Sequence, residues 1–118
     1  MVTVSDVRAF LADLPSSLVS DQTIEKAISV AETIVNAYAS VEAPPEDYEN
    51  AILVQAAWIT LVSYATVIER STGEIPPAVV ERLRDLRTIA ERVLQAVSGT
   101  KETFMPPSTM SKALEDEL

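Results

Sequence analysis

An all-α fold is predicted for this 118-residue chain: a four-helix bundle-like domain with a short first helix, three longer ones and an extended C-terminal tail. Three observations predict it. Apolar residues recur at three- and four-residue spacing in successive segments, helix caps and proline pairs punctuate those segments, and strand signals are missing. Only two glycines occur, with no Asn-Gly or Asp-Gly turn and no sustained apolar–polar alternation.

The first helix is short. Ser5 is expected to cap it, Asp6 favours its positive end, and Val7, Phe10, Leu11 and Leu14 form one apolar stripe before Pro15 stops it. Ser20 or Asp21 caps the second helix, which is expected to run to about Ser40 with Ile24, Ala27, Ile28, Ala31, Ile34, Val35 and Tyr38 on its core face. The small residues Ala27 and Ala31 allow another helix to come close. Pro44 and Pro45 close this segment and open the third helix, because proline is tolerated only in a first turn. That helix is expected over roughly Glu46 to Ser71, with Gly73 as a left-handed C-cap. Pro76 and Pro77 start the fourth, which extends to about Ser98 with Gly99 as its stop. Its core face is Val79, Leu83, Leu86, Ala90, Val93, Leu94 and Val97.

The third helix dominates the pattern. From Ala51 to Ile68 (AILVQAAWITLVSYATVI) the chain carries no charge, and its large apolar residues cover the whole helical circumference. A helix apolar all round needs partners on every side. It is therefore expected at the centre of the bundle and near a subunit contact. The run is long enough to span a bilayer, but Gln55, Thr60, Ser63, Tyr64 and Thr66 interrupt it and its flanks are acidic, so a buried bundle helix is expected. The N-terminal MVTVSDVRAF lacks a basic stretch followed by an apolar one, so no secretion signal is expected, and the terminal EDEL is read as an acidic end.

Residues 1–99 are read as the helical domain and 100–118 as a tail. The tail (TKETFMPPSTMSKALEDEL, from Thr100) has too few apolar residues to fold alone. Phe104, Met105 and Met110 stand around the rigid Pro106-Pro107 pair as anchors for a partner.

The net charge is −9, and it is unevenly spread. Up to Glu69 only Arg8 and Lys26 are basic; Arg70, Arg82, Arg84, Arg87 and Arg92 follow before Gly99. An acidic surface repels phosphate, which argues against sequence-specific nucleic-acid binding and suits a surface that DNA must pass without sticking. With no cysteine and no histidine, the usual thiolate nucleophile, neutral-pH general base and transition-metal ligands are absent. The serines and threonines have no histidine to activate them, and the three lysines sit in polar stretches. No catalytic residue, cofactor or metal site is expected.

Three clusters remain. Glu42, Glu46, Asp47 and Glu49 lack the spacing and glycine of a calcium loop and are read as solvated charge favouring a helix N-terminus. Arg84, Arg87 and Glu91 share one flank of the fourth helix, with Arg87 and Glu91 at i,i+4 spacing. They are read as a salt-bridged surface or as a contact with the acidic face of a neighbouring subunit. Trp58 is expected as core filling or an interface anchor, like Tyr64.

The opening TVSDVRAFL, a short loop, SDQTIEKAISVAETIVNAY, a Pro-Pro turn and an apolar helix beginning ENAILVQAAWITL resemble the head-tail connector (adaptor, or head-completion) proteins of tailed bacteriophages. The shared pattern, D-V-x-x-x-L then D-x-x-I-x-x-A-I-x-x-A, is carried by Asp6, Val7, Leu11, Asp21, Ile24, Ala27, Ile28 and Ala31, within a match over roughly Met1 to Gly99. The resemblance implies a homo-oligomeric ring, typically dodecameric, seated beneath the portal protein and joined to tail-side connector proteins. It implies a virion component assembled in the host cytoplasm, with DNA passing through the ring and no membrane involved. It also implies that residues 103–118 reach the portal, with Phe104, Met105, Pro106, Pro107 and Met110 as anchors. Two other readings stay open: a small helical interaction module, regulator- or antitoxin-like, and a helical enzyme or ligand-binding bundle with a pocket near Trp58.

Overall fold

The computed structural model of the chain describes residues 1–12 and 18–98. They form four helices, α1 (Val4–Phe10), α2 (Asp21–Tyr38), α3 (Pro45–Thr72) and α4 (Pro77–Ser98), and no strand occurs among the described residues. The all-α arrangement of one short and three longer helices is as the sequence predicts.

Local chemistry sets each boundary. Thr3 caps α1 in place of Ser5: its Oγ1 accepts from the Asp6 N–H at 3.2 Å, and the Thr3 N–H donates to Asp6 Oδ2 at 2.9 Å. A reciprocal capping box needs its acid three residues beyond the cap, a spacing that Thr3 satisfies and Ser5 does not. The helix ends at Phe10, ahead of Pro15, which lies outside the described residues with Leu14. Of the expected stripe Val7 and Leu11 are buried, whereas Phe10 is 39% exposed. Seven residues make only two turns, too few to keep a whole stripe against one neighbour.

Ser20 caps α2 by accepting from the Thr23 N–H at 3.2 Å. The helix stops at Tyr38, two residues before the expected end: Ala39 is extended, and the Ser40 N–H donates to the Val97 carbonyl at 2.8 Å, tying the ends of α2 and α4 together. α3 begins with Pro45 in its first turn and closes on Gly73, whose φ of 88° is left-handed and whose N–H donates to the Glu69 carbonyl at 2.7 Å.

α3 is the central helix, packed against α1, α2 and α4. From Ala51 to Ala57 every residue except Leu53 is buried. By length and composition α3 could cross a membrane, but more than half of its apolar window is covered by the chain's own helices. Small residues make the enclosure possible. Ala27 and Ala31 of α2 and Ala51, Ala56, Ala57 and Ala65 of α3 are buried, which lets helix axes approach closely. Val7, Ile24, Val35, Leu61 and Val97 are the largest fully buried side chains, so all four helices contribute to one core. The buried Gln55 side chain joins α3 to α4 by donating to the Ala90 carbonyl at 3.1 Å.

Arg8 fastens α1 to the start of α2. Its guanidinium donates to Asp21 Oδ1 from Nε at 3.1 Å and from Nη2 at 2.6 Å, and from Nη2 to the Val19 carbonyl at 2.9 Å. Of the two bases before Arg70, one therefore holds the fold together.

Candidate functional site

Three surfaces of the bundle are available for recognition. The first is a groove of about 310 Å³ between the chain entering α2 and the C-terminal half of α3, lined by Leu18, Val19, Thr23, Val62, Ser63, Thr66, Val67 and Arg70. Its hydroxyls are bonded locally: Ser63 donates to the Ile59 carbonyl at 3.2 Å, Thr66 donates to the Val62 carbonyl at 2.9 Å, and the Thr23 hydroxyl lies 3.0 Å from that of Ser20. What remains is an apolar wall, with Leu18 and Val62 each more than a third exposed and an exposed Arg70 guanidinium. Such a groove accommodates apolar side chains and offers one cation to an acid. It contains no pair of groups able to pass a proton or activate a nucleophile. Trp58 and Tyr64 do not line it: Tyr64 is buried in the core, and Trp58 is half-buried against it.

The second surface is the outer flank of α4. Arg84 and Arg87 are exposed there, and Arg87 Nε meets Glu91 Oε1 at 3.4 Å with both side chains more than half exposed. The i,i+4 pair expected from the sequence is thus formed, in a solvated setting where such pairs contribute little stability. At the opposite end of α3 the acidic turn is open as well. Glu42, Glu46 and Asp47 are exposed, and the Glu49 carboxylate lies 2.7 Å from the Met1 amine. Nearby, the Tyr48 hydroxyl donates to Asn36 Oδ1, holding the start of α3 against α2.

The third surface runs along the outside of α2. Ile34 and Tyr38, expected in the core, turn outward instead: Ile34 is only partly covered and Tyr38 is 43% exposed. With Val30 at 48% and an exposed Ala37 they make a second apolar stripe, prolonged by a fully exposed Val41 in the turn beyond the helix. The spacing Val30, Ile34, Ala37, Val41 (i, i+4, i+7, i+11) was legible in the sequence as a helical face. It is hidden in a first reading because it shares a border with the longer core stripe. The tail anchors Phe104, Met105, Pro106, Pro107 and Met110 lie outside the described residues.

No protein-family model, no curated protein and no solved structure matches this chain.

Proposed function

We propose that the protein is a structural head-tail connector of a tailed bacteriophage, a ring-forming adaptor that extends the DNA channel below the portal and joins capsid to tail. One observation carries the reading. The helices pack around α3 and still leave large apolar side chains exposed on three of the four helices, at Val30 and Tyr38 of α2, Val62 of α3, and Val80 and Ile89 of α4, each more than a third exposed. Single exposed apolar residues are ordinary, but the α2 stripe, together with further exposed apolar side chains on α3 and α4 of so small a domain, suits a subunit surrounded by copies of itself. The sequence pattern of the first three helices supports the same reading, as does a net charge of −9, which lets DNA pass without adhesion.

In this role the protein works by packing. Heterologous contacts between neighbours close a ring, the tail docks on the portal, and no bond is made or broken. The basic flank of α4 at Arg84 and Arg87 faces an acidic surface of the next subunit, where charge sets register. Trp58, half-buried in one chain, becomes covered at a subunit contact.

Sedimentation and negative-stain electron microscopy of the purified chain, alone and mixed with a portal ring, test the proposal. A symmetric ring is expected, alone or on the portal. A chain that stays a monomer or dimer and ignores the portal would leave the interaction-module reading in its place.

A further inference from the structure

We infer that two copies of this chain pair face to face through the outer stripe of α2, antiparallel about a two-fold axis at Ile34. The contact belongs to the free chain and does not rest on the connector reading.

The first support is how charge is laid along the stripe. Lys26, Val30, Ile34 and Ala37 follow at spacings of four, four and three residues, so one helical face carries them. Lys26 is exposed at one end of that face, and Glu42 is exposed in the turn beyond the other end. Glu25 and Glu32 lie about 100° or more round the helix from the stripe. Neither Lys26 nor Glu42 makes an ion pair among the described residues, whereas Arg8, the other base before Arg70, is occupied by Asp21. A stripe positive at one end and negative at the other complements itself only when antiparallel. Two Lys26–Glu42 pairs then form, while a parallel pair would set like charges together.

The second is register. Lys26 and Glu42 stand eight residues on either side of Ile34. The axis that pairs those charges therefore sets Ile34 against its own copy and Val30 against Tyr38 of the other copy. Val30 and Tyr38 are 48% and 43% exposed, so the register that joins the charges also covers the most accessible large apolar side chains of α2.

The third is that polar groups beside the stripe are already served within the chain. The Thr33 hydroxyl donates to the Ser29 carbonyl at 3.1 Å, and Asn36 Oδ1 accepts from the Tyr48 hydroxyl. Covering the face buries apolar surface without orphaning those groups. One helix face is far smaller than the roughly 20–30 residues a side of a standard interface, so the pair is weak and exchanges readily.

The chain has no cysteine, so single cysteines report the geometry in the full-length protein. Antiparallel copies bring position 34 onto itself but hold the two positions 30 about 12 Å apart along the axis. Under mild oxidation Ile34→Cys is expected to form a disulfide-linked dimer roughly tenfold faster than Val30→Cys, although Val30 is the more exposed. Sedimentation velocity then reads the charges. Lys26→Glu and Glu42→Lys, both at exposed positions, should each weaken self-association roughly tenfold. A mixture of the two variants should associate again, since every Glu at the contact then meets a Lys. Equal or faster linkage at Val30→Cys, a mixture no better than its components, or a chain that stays monomeric with its stripe bare or otherwise covered would each overturn the pair. No portal is present and Arg84 and Arg87 are unchanged, so failure here leaves the ring proposal standing, and failure to form a ring leaves this pair standing.

Discussion

Thr60 sits on α3 at 2% exposure with a hydroxyl that finds no hydrogen-bond partner among the described residues, although threonines nearer the end of the same helix bond the carbonyl four residues back. An unsatisfied buried hydroxyl costs about 1–3 kcal/mol, and valine keeps the branched shape without it. Thr60→Val should therefore raise unfolding stability by about 1 kcal/mol in a denaturant titration, while Thr60→Ser, which keeps the hydroxyl and loses the methyl, should lower it. Trp58 carries a second expectation at this scale. Truncating a fully buried tryptophan costs about 3–5 kcal/mol, so Trp58→Ala, removing a half-buried ring, should cost the separated chain about 2 kcal/mol. If a neighbour covers the rest, the same change should also raise the concentration at which the ring dissociates, measured by sedimentation. A loss confined to one of the two measurements would place Trp58 wholly in the core or wholly at the contact.

The helices were the legible part of the sequence, and the reason is the periodicity of their core faces. Val7 and Leu11, then Ile24, Ala27, Ile28, Ala31 and Val35, and Leu86, Ala90 and Val97 are buried as their spacing requires. α3 could be placed at the centre because no side of it is polar enough to face water for long. What spacing cannot reveal is which neighbour covers a border position, and so Phe10, Ile34 and Tyr38 were assigned to a core that does not reach them. Nor does a cap follow from residue type alone; Thr3 wins over Ser5 through its register with Asp6. The groove beside Arg70 was illegible because it is made by the chain before α2 and a distant half of α3, which sequence order does not bring together. The Arg8 clamp has the same character and gives a prediction for α1. Arg8→Ala removes three hydrogen bonds that hold α1 to the entry of α2, and because Asp21 is largely exposed the cost should be modest, about 1–2 kcal/mol. Hydrogen exchange should rise across Val4–Phe10 with little change in α3. Arg8→Lys should recover only part of the protection, since an ammonium cannot reproduce the fork.

For the whole molecule, the proposed connector role asks how charge and tail would divide the work of assembly. Deleting residues 103–118 removes the anchors but none of the described core, so far-UV circular dichroism should keep its helical signal while attachment to a portal ring is lost. Unchanged attachment would place portal recognition on the bundle itself. Subunit packing makes a different demand. Glu42, Glu46 and Asp47 are exposed at one end of α3, and Arg84 and Arg87 lie on the exterior of α4, so one subunit presents opposite charges on separate surfaces, as a head-to-tail ring needs. Each exposed pair is weak, but a ring repeats the contact at every interface, and like charges placed across it cost several kcal/mol in sum. If the proposed ring forms through these surfaces, Arg84→Glu combined with Arg87→Glu should dissolve it into folded subunits of unchanged helicity. Adding Glu46→Lys and Asp47→Lys should restore it, because the reversed pairs again attract. Rescue by the second pair is the decisive measurement: a ring lost and not recovered would move the neighbour's contact away from the acidic turn, and a ring indifferent to the first pair would leave α4 on the outside of the assembly.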